Sequence, residues 1–160
     1  MSPNKPSSPL LAGLKQENTA WQALLQVMQD EEQALIAGDT ERLALLGTAK
    51  LTQLQSVSEH VQNRHTALQA AGQAVDHAGM EAWLAQHGQA EHRACWQQLC
   101  DMEQRARATN QRIGALIEMR QTSTRQALNV LIHSATRQGG LYDHDGLAVA
   151  ARKGNPLTSA

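Results

Sequence analysis

The chain has 160 residues, a formal net charge of −1 at pH 7 and a sequence pI of about 6.6, which excludes the strongly basic character typical of nucleic-acid-binding domains. It contains three Trp, one Tyr and no Phe, and its four prolines lie within the first nine residues or at Pro156. Because β-sheets favour β-branched and aromatic side chains, this composition excludes an all-β or α/β core and predicts an all-α protein.

The first predicted helix runs from about Leu10 to Ala37, after a proline- and serine-rich segment, residues 1–9, that we expect to be a disordered tail. Its apolar positions have helical spacing and are Leu14, Trp21, Leu24, Leu25, Met28, Leu35 and Ile36. Gly38 suits the left-handed position that ends a helix, and Asp39 suits the N-cap of the next helix. Such a short turn predicts an antiparallel helical hairpin.

The second predicted helix runs from about Thr40 to Ala71 and ends at Gly72. Its predicted core positions are Leu43, Leu46, Leu54, Val57, Val61 and Leu68. Lys50 and Arg64 lie close to these positions, so we expect their stems to pack while their charges reach water. Residues 72–79 contain two glycines and predict a loop, followed by a short helix over residues 80–87 that ends at Gly88.

The last predicted helix spans about residues 89–138 and contains no proline. Its apolar positions are Cys95, Leu99, Met102, Ala106, Ile113, Leu116 and Ile117, followed after a polar stretch by Leu128, Leu131, Ile132 and Ala135. Fifty helical residues would span about 75 Å, whereas a compact chain of this length is only about 40 Å across. We therefore expect the helix to project or to break, with the break at the polar run Arg120–Arg125.

These elements predict a helical hairpin plus a long C-terminal helix, forming an elongated helical bundle or coiled coil. Residues 139–160 are expected to be a flexible tail.

Two features of the last helix have more than one interpretation. Between residues 104 and 138 the chain has six arginines and one acid, Glu118, whereas residues 10–40 carry five acids and one Lys. These charges either complement each other inside an antiparallel bundle or prepare the basic helix for an acidic or amphipathic partner. Similarly, Leu128, Leu131 and Ile132 either complete the bundle core or form a separate binding surface within an amphipathic segment of about residues 112–138.

The sequence offers little support for catalysis or cofactor binding. There is no Glu-x-x-His pair for a di-iron bundle and no glycine-rich nucleotide motif. His87, Glu91 and Cys95 share a helical spacing, but Gly88 interrupts it and no fourth ligand is indicated, so we predict no metal site. Cys95 and Cys100 are too far apart around a helix for a disulfide and are expected to be reduced, partly buried thiols. We predict no enzyme activity, no cofactor, no nucleic-acid partner and no membrane span.

The first hairpin reads Glu32-Gln-Ala-Leu-Ile-Ala-Gly-Asp39 and continues with Leu43, Lys50 and Leu54. The second half carries Trp96, Leu99, Asn110 and Ile113, and the C-terminal segment carries Tyr142-Asp-x-x-Gly146. In this order and spacing, over most of residues 14–146, the chain resembles the flagella synthesis protein FlgN family. The family's second Asn is only partly kept, since Gln111 and Arg112 follow Asn110.

The resemblance implies a cytoplasmic type III export chaperone of the flagellum, with residues 10–138 as the chaperone domain. Such proteins bind the hook–filament junction proteins FlgK and FlgL, keep them unassembled and deliver them to the flagellar export apparatus. In the family the C-terminal amphipathic segment binds this cargo, which implies a partner-binding set of Ile113, Leu116, Ile117, Leu128, Leu131 and Ile132. The alternative is a structural coiled-coil protein that self-associates, for example as a homodimer, without cargo.

Overall fold

The computed structural model describes residues 9–139, and these form four α-helices with no strand in that range. The helices are α1 (Pro9–Ala37), α2 (Thr40–Ala70), α3 (His77–His87) and α4 (Ala90–Gly139). The predicted all-α class is therefore confirmed. Apart from Pro9 and Gly139, which are helical, the predicted tails lie outside the described residues, as does the motif from Tyr142 to Gly146.

The chain divides into two compact units. The N-terminal unit is Met1–Ile117 and contains α1, α2, α3 and α4 up to Ile117. The C-terminal unit is Glu118–Ala160, of which the structure describes the helical residues 118–139.

The turn between α1 and α2 has the predicted chemistry. Gly38 adopts φ 73°, a left-handed conformation that glycine enters without the steric cost a Cβ would impose. Its N–H donates to the Leu35 carbonyl at 3.3 Å, and the Asp39 N–H donates to the Ala34 carbonyl at 3.0 Å, which together form a Schellman motif. The Asp39 carboxylate then accepts from the Arg42 N–H at 3.0 Å and caps α2. The predicted helical hairpin is confirmed.

Helix α3 begins at His77, before the predicted start at Met80. The Asp76 carboxylate accepts from the Gly79 N–H at 2.8 Å and supplies the N-cap. The two glycines around this segment predicted a loop, but Gly79 lies inside the helix, close to the backbone carbonyl of Ala74. The predicted loop over residues 72–79 is therefore too long, since α3 already begins at His77. Gly79 allows the backbone to approach Ala74 closely and does not break the helix.

The core of the N-terminal unit consists of two apolar clusters. The first joins the middle and end of α1 to Val57 of α2 and to α4, and comprises Ala20, Leu24, Leu25, Met28, Leu35, Val57, Met102, Ala106 and Ile113. The second joins the start of α1 to the end of α2, to α3 and to the start of α4, and comprises Leu10, Leu14, Leu68, Met80, Trp83, Leu84, Trp96 and Leu99. Trp21 packs against both clusters.

Helix α1 is more deeply buried than its hairpin partner α2. Ten of its residues are buried, against only Val57 and Leu68 on α2. Two residues of the predicted apolar stripes, Ile36 and Leu54, are exposed. They lie at the margins of the apolar stripes of α1 and α2, where the other described helices do not cover them.

Helix α4 continues without interruption through residues 120–125, so the predicted break there is wrong. The polar run removes side chains that could join a core, but it leaves the backbone hydrogen bonds of the helix intact. Arg and Gln also have good helix propensity. Loss of apolar periodicity therefore marks the end of core packing rather than the end of the helix.

Candidate partner-binding surface

The part of α4 in the N-terminal unit contributes one regular row to the core. The row consists of residues spaced by three or four positions and comprises Leu99, Met102, Ala106, Thr109 and Ile113, all buried. Thr109 was missed by the apolar pattern because it is polar; its hydroxyl accepts from Arg112 Nη2 at 3.0 Å. Leu116 is partly buried against the first cluster and is the last residue of the row with such packing.

The predicted partner-binding residues in the N-terminal unit differ in exposure. Ile113 is only 3% exposed and belongs to the first cluster, so it offers no surface while the unit is folded. Leu116 packs against the same cluster, and Ile117 is 39% exposed. These three residues mark the end of the core row.

The predicted residues in the C-terminal unit are all on the surface. Leu128, Leu131 and Ile132 are 55%, 66% and 51% exposed. Every residue from Ile117 to Arg137 is exposed. None of these three side chains is buried among the described residues.

Two further exposed apolar residues were missing from the predicted set. Met119 and Val130 are each 68% exposed. They lie on the side of the helix away from Leu128 and Ile132, so the search for one stripe passed over them. The signal that could have found them is the run Ala-Leu-Asn-Val-Leu-Ile over residues 127–132, in which Asn129 is the one polar residue.

The charges of α4 are only partly neutralised within the described chain. Arg112 Nε and Nη2 donate to the two carboxylate oxygens of Glu32 at 2.7 and 3.3 Å, which links α4 to α1. This hydrogen bonding lowers the pKa of Glu32 and raises that of Arg112. Arg107 pairs with Glu103 on α4 itself. Four other arginines lie between residues 104 and 138, and none of them forms an ion pair with residues 9–139. They are Arg105, Arg120, Arg125 and Arg137.

A buried ion pair lies in the N-terminal unit, where solvated charges were expected. Glu17 is 1% exposed, and its carboxylate accepts from Arg64 Nε at 2.9 Å and Nη2 at 3.2 Å. The Arg64 guanidinium also stacks 5.0 Å from the centre of the Trp96 ring. Lys50 is similarly paired, with Glu31 at 2.8 Å. The expectation that both charges reach water is wrong for Arg64, whose charge is neutralised between α1 and α2.

The two cysteines are free and partly buried, as predicted. Burial raises the pKa of Cys95 and of Cys100, so both remain protonated thiols at neutral pH. The Asn18 side-chain amide donates to the Cys95 carbonyl at 3.2 Å and ties α1 to the start of α4. These thiols act as packing groups rather than as activated nucleophiles.

Within residues 9–139 no group of three or more His, Cys, Asp or Glu side chains is arranged to hold a metal ion. Of the three residues considered for such a site, His87 stacks on Trp83 with 4.7 Å between ring centres, and Glu91 pairs with Lys15 at 2.8 Å. Among the described helices, none combines the length and the apolar character needed to cross a membrane.

Comparison with known proteins identifies one family. The family model described as FlgN protein matches residues 7–150, which is most of the chain. No curated protein and no solved structure matches the chain.

Proposed function

The chain belongs to the FlgN family of flagellar export chaperones, and from this membership we propose that it binds the hook–filament junction proteins FlgK and FlgL through Leu128, Leu131 and Ile132. Binding keeps these cargo proteins unassembled in the cytoplasm until they are delivered to the flagellar export apparatus. The family is one of chaperones rather than enzymes, and the proposed activity is non-covalent binding.

The observation that carries the proposal is the exposure of these three aliphatic side chains on one side of a helix. Leu131 lies about 60° from Leu128 and Ile132 about 40° from it on the other side, so the three form one row. Burying a Leu or Ile side chain contributes about 1.5–3 kcal/mol before ordering costs. Three such anchors supply at most about 9 kcal/mol before the cost of ordering both partners is subtracted, so they correspond to an affinity no tighter than roughly micromolar. That affinity suits a cargo that must later be released.

The mode of binding that fits this surface is recognition between amphipathic helices. The terminal segment of a junction protein is helical and amphipathic only in its assembled state, so before assembly its apolar face lacks a partner. Docking such a face on Leu128, Leu131 and Ile132 hides it from water and from other cargo molecules. Premature polymerisation is blocked because chaperone and neighbouring subunit compete for the same side chains.

The direct test replaces Leu131 and Ile132 together by Asp in the full chain. We expect the melting temperature to stay nearly unchanged, because both side chains are exposed. Capture of FlgK and FlgL in a co-purification assay should be abolished, because two carboxylates would have to be buried in an apolar contact.

A matched control replaces Leu45 and Leu51 of α2 by Asp. These leucines are 75% and 69% exposed, so the control adds the same charge to a helix surface of similar exposure. It should retain cargo capture. Cargo binding retained by the Leu131→Asp, Ile132→Asp variant, together with a large loss of stability, would show that these residues support the fold and would refute the proposal.

The second candidate is self-association without cargo, which the same exposed row favours, since exposed heptad-like seams commonly pair with one another. Light scattering of the full chain over a range of concentrations separates the two functions. A tight dimer that the Leu131→Asp, Ile132→Asp variant abolishes would favour the self-associating coiled coil.

A further inference from the structure

The exposed apolar surface of the C-terminal unit extends most of the way around its helix. At about 100° per residue, the side chains of residues 127–132 point in all directions around the axis. Five of these six residues are apolar, and Asn129 is the exception. We call these five residues the apolar collar: Ala127, Leu128, Val130, Leu131 and Ile132. Its four large members are each more than half exposed.

Val130 cannot share one contact surface with the row through Leu128. It lies about 160° around the helix from both Leu128 and Ile132. Met119 precedes Val130 by three helical turns and lies within about 20° of it, so a second apolar row occupies the opposite side. A packed helix buries a stripe only somewhat wider than about 100°. One partner helix therefore leaves either Val130 or Leu128 in water.

Arginines flank the collar on both sides. Arg125 lies two turns before Ile132 and Arg120 three turns before Leu131, so each shares a row with a collar residue. Arg137 lies two turns after Val130 on the opposite side. There is no acidic residue in the sequence from Met119 to Gly139, and none of the three arginines pairs with any other residue of the described chain. Positive charge that is unpaired within residues 9–139 therefore flanks the collar.

We propose that the apolar collar is enclosed from two opposite sides by at least two amphipathic helices of the partner, which carry carboxylates beside their apolar stripes. This inference rests on the proposed function and specifies its cargo site: the chaperone contributes one helix to an intermolecular bundle instead of offering a single groove. The positive charge of the flanking arginines favours an acidic partner over a second copy of this chain. A second copy of this chain would bring arginine rows together, whereas acidic partner helices would neutralise them.

The first experiment measures the affinity of the full chain for purified FlgK or FlgL by calorimetry, with one substitution on each side of the collar. Leu131→Asp reports the row proposed above, and Val130→Asp reports the opposite row. Enclosure from two sides predicts that each variant binds at least tenfold more weakly than the unmodified chain. Val and Asp have similar helix propensity, so Val130→Asp tests contact rather than helix formation.

Leu45→Asp supplies the matched control. It replaces an exposed aliphatic side chain of α2, in the N-terminal unit, by the same charged residue. We expect its affinity to stay within threefold of the unmodified chain. Normal binding by Val130→Asp with loss of binding by Leu131→Asp would overturn the enclosure while leaving the proposed function intact. Normal binding by both variants would refute the proposed function as well.

The second experiment tests the charge of the partner. Replacing Arg120 and Arg125 together by Glu should weaken binding at least tenfold in 50 mM salt, and the affinity of the unmodified chain should fall as salt is raised to 300 mM. The control replaces Arg93 and Arg105 by Glu. Both are exposed arginines of α4 in the N-terminal unit, and neither forms an ion pair with a described residue, so net charge changes equally.

Retention of affinity by the Arg120→Glu, Arg125→Glu variant would overturn the acidic partner. Equal losses in this variant and in the control would do the same, because they would show an effect of total charge rather than of the collar. A homodimer in light scattering that Val130→Asp dissociates would identify a second copy of the chain as the occupant and would also overturn the proposal.

Discussion

At the scale of single residues, the N-terminal unit contains a buried ion pair between Arg64 and Glu17 that the apolar pattern of the sequence does not indicate. Glu17 lies within the apolar stripe of α1 and is buried because Arg64, distant in sequence, neutralises it. An arginine near an apolar seam usually extends its charge to water. The sequence around Arg64 did not reveal its partner, since the pairing exists only once α1 and α2 are antiparallel.

Replacing Arg64 by Met should lower the free energy of unfolding by about 3 kcal/mol, because it leaves the Glu17 carboxylate buried without a counter-charge. Adding Glu17→Gln to this variant should cost less than the sum of the two single changes, since no buried charge then remains. Urea unfolding of the four proteins measures both effects. Lys15→Met is the control: Lys15 pairs with Glu91 on the surface, so its loss should hardly move the unfolding midpoint. An equal effect of Arg64→Met and Lys15→Met would contradict this view of the ion pair.

At the scale of helices, the sequence predicted elements well where local chemistry determines them. Gly38 and Asp39 lie next to each other, and their capping bonds need no distant partner, so the hairpin turn was correct. Which flank of a stripe becomes buried depends on the neighbouring helices, and for this reason the apolar pattern does not show that Ile36 and Leu54 are exposed. The start of α3 was missed because Asp76 is an N-cap within a glycine-rich stretch.

The exposed apolar residues of α4 were predicted only in part. Leu128, Leu131 and Ile132 follow the spacing of the core row, so a periodic search finds them. The same search cannot show that the core ends near Leu116, because burial is a property of the neighbours. It also omits Val130 and Met119, since a search for one stripe discards residues on the opposite side.

Two glycines in helices should respond to substitution in opposite directions. A Cβ at Gly79 would lie 1.9 Å from the Ala74 carbonyl oxygen, so Gly79→Ala forces backbone atoms apart and should destabilise the protein by about 1–3 kcal/mol. A Cβ at Gly114 in α4 would meet nothing within 4 Å. Gly114→Ala should therefore stabilise the protein by about 0.5–1 kcal/mol through helix propensity. Thermal unfolding measures both, and a destabilising Gly114→Ala would indicate that α4 needs glycine there for packing.

At the scale of the whole molecule, folding and the proposed binding use different residues. The buried side chains of the described chain all lie in the N-terminal unit, from Leu10 to Ile113. The helix over residues 118–139 has no buried side chain among those described. Most of the stability of a helix in a protein comes from the packing of its apolar face, and the described residues of this segment have no such packing. We therefore expect this segment to rearrange around the proposed cargo while both apolar clusters stay intact.

A chain that stops at Arg120 should therefore keep its melting temperature within about 2 °C of the full chain, since it retains both apolar clusters. Hydrogen exchange of the full chain should show strong protection over residues 96–113 and exchange close to the unfolded rate over residues 121–137. Cargo should protect the second segment when it binds, because packing then stabilises that part of the helix. The shortened chain should bind neither FlgK nor FlgL. A shortened chain that melts many degrees lower, or strong protection of residues 121–137 in the free protein, would show that this helix is part of the folded core and would contradict the separation of folding from binding.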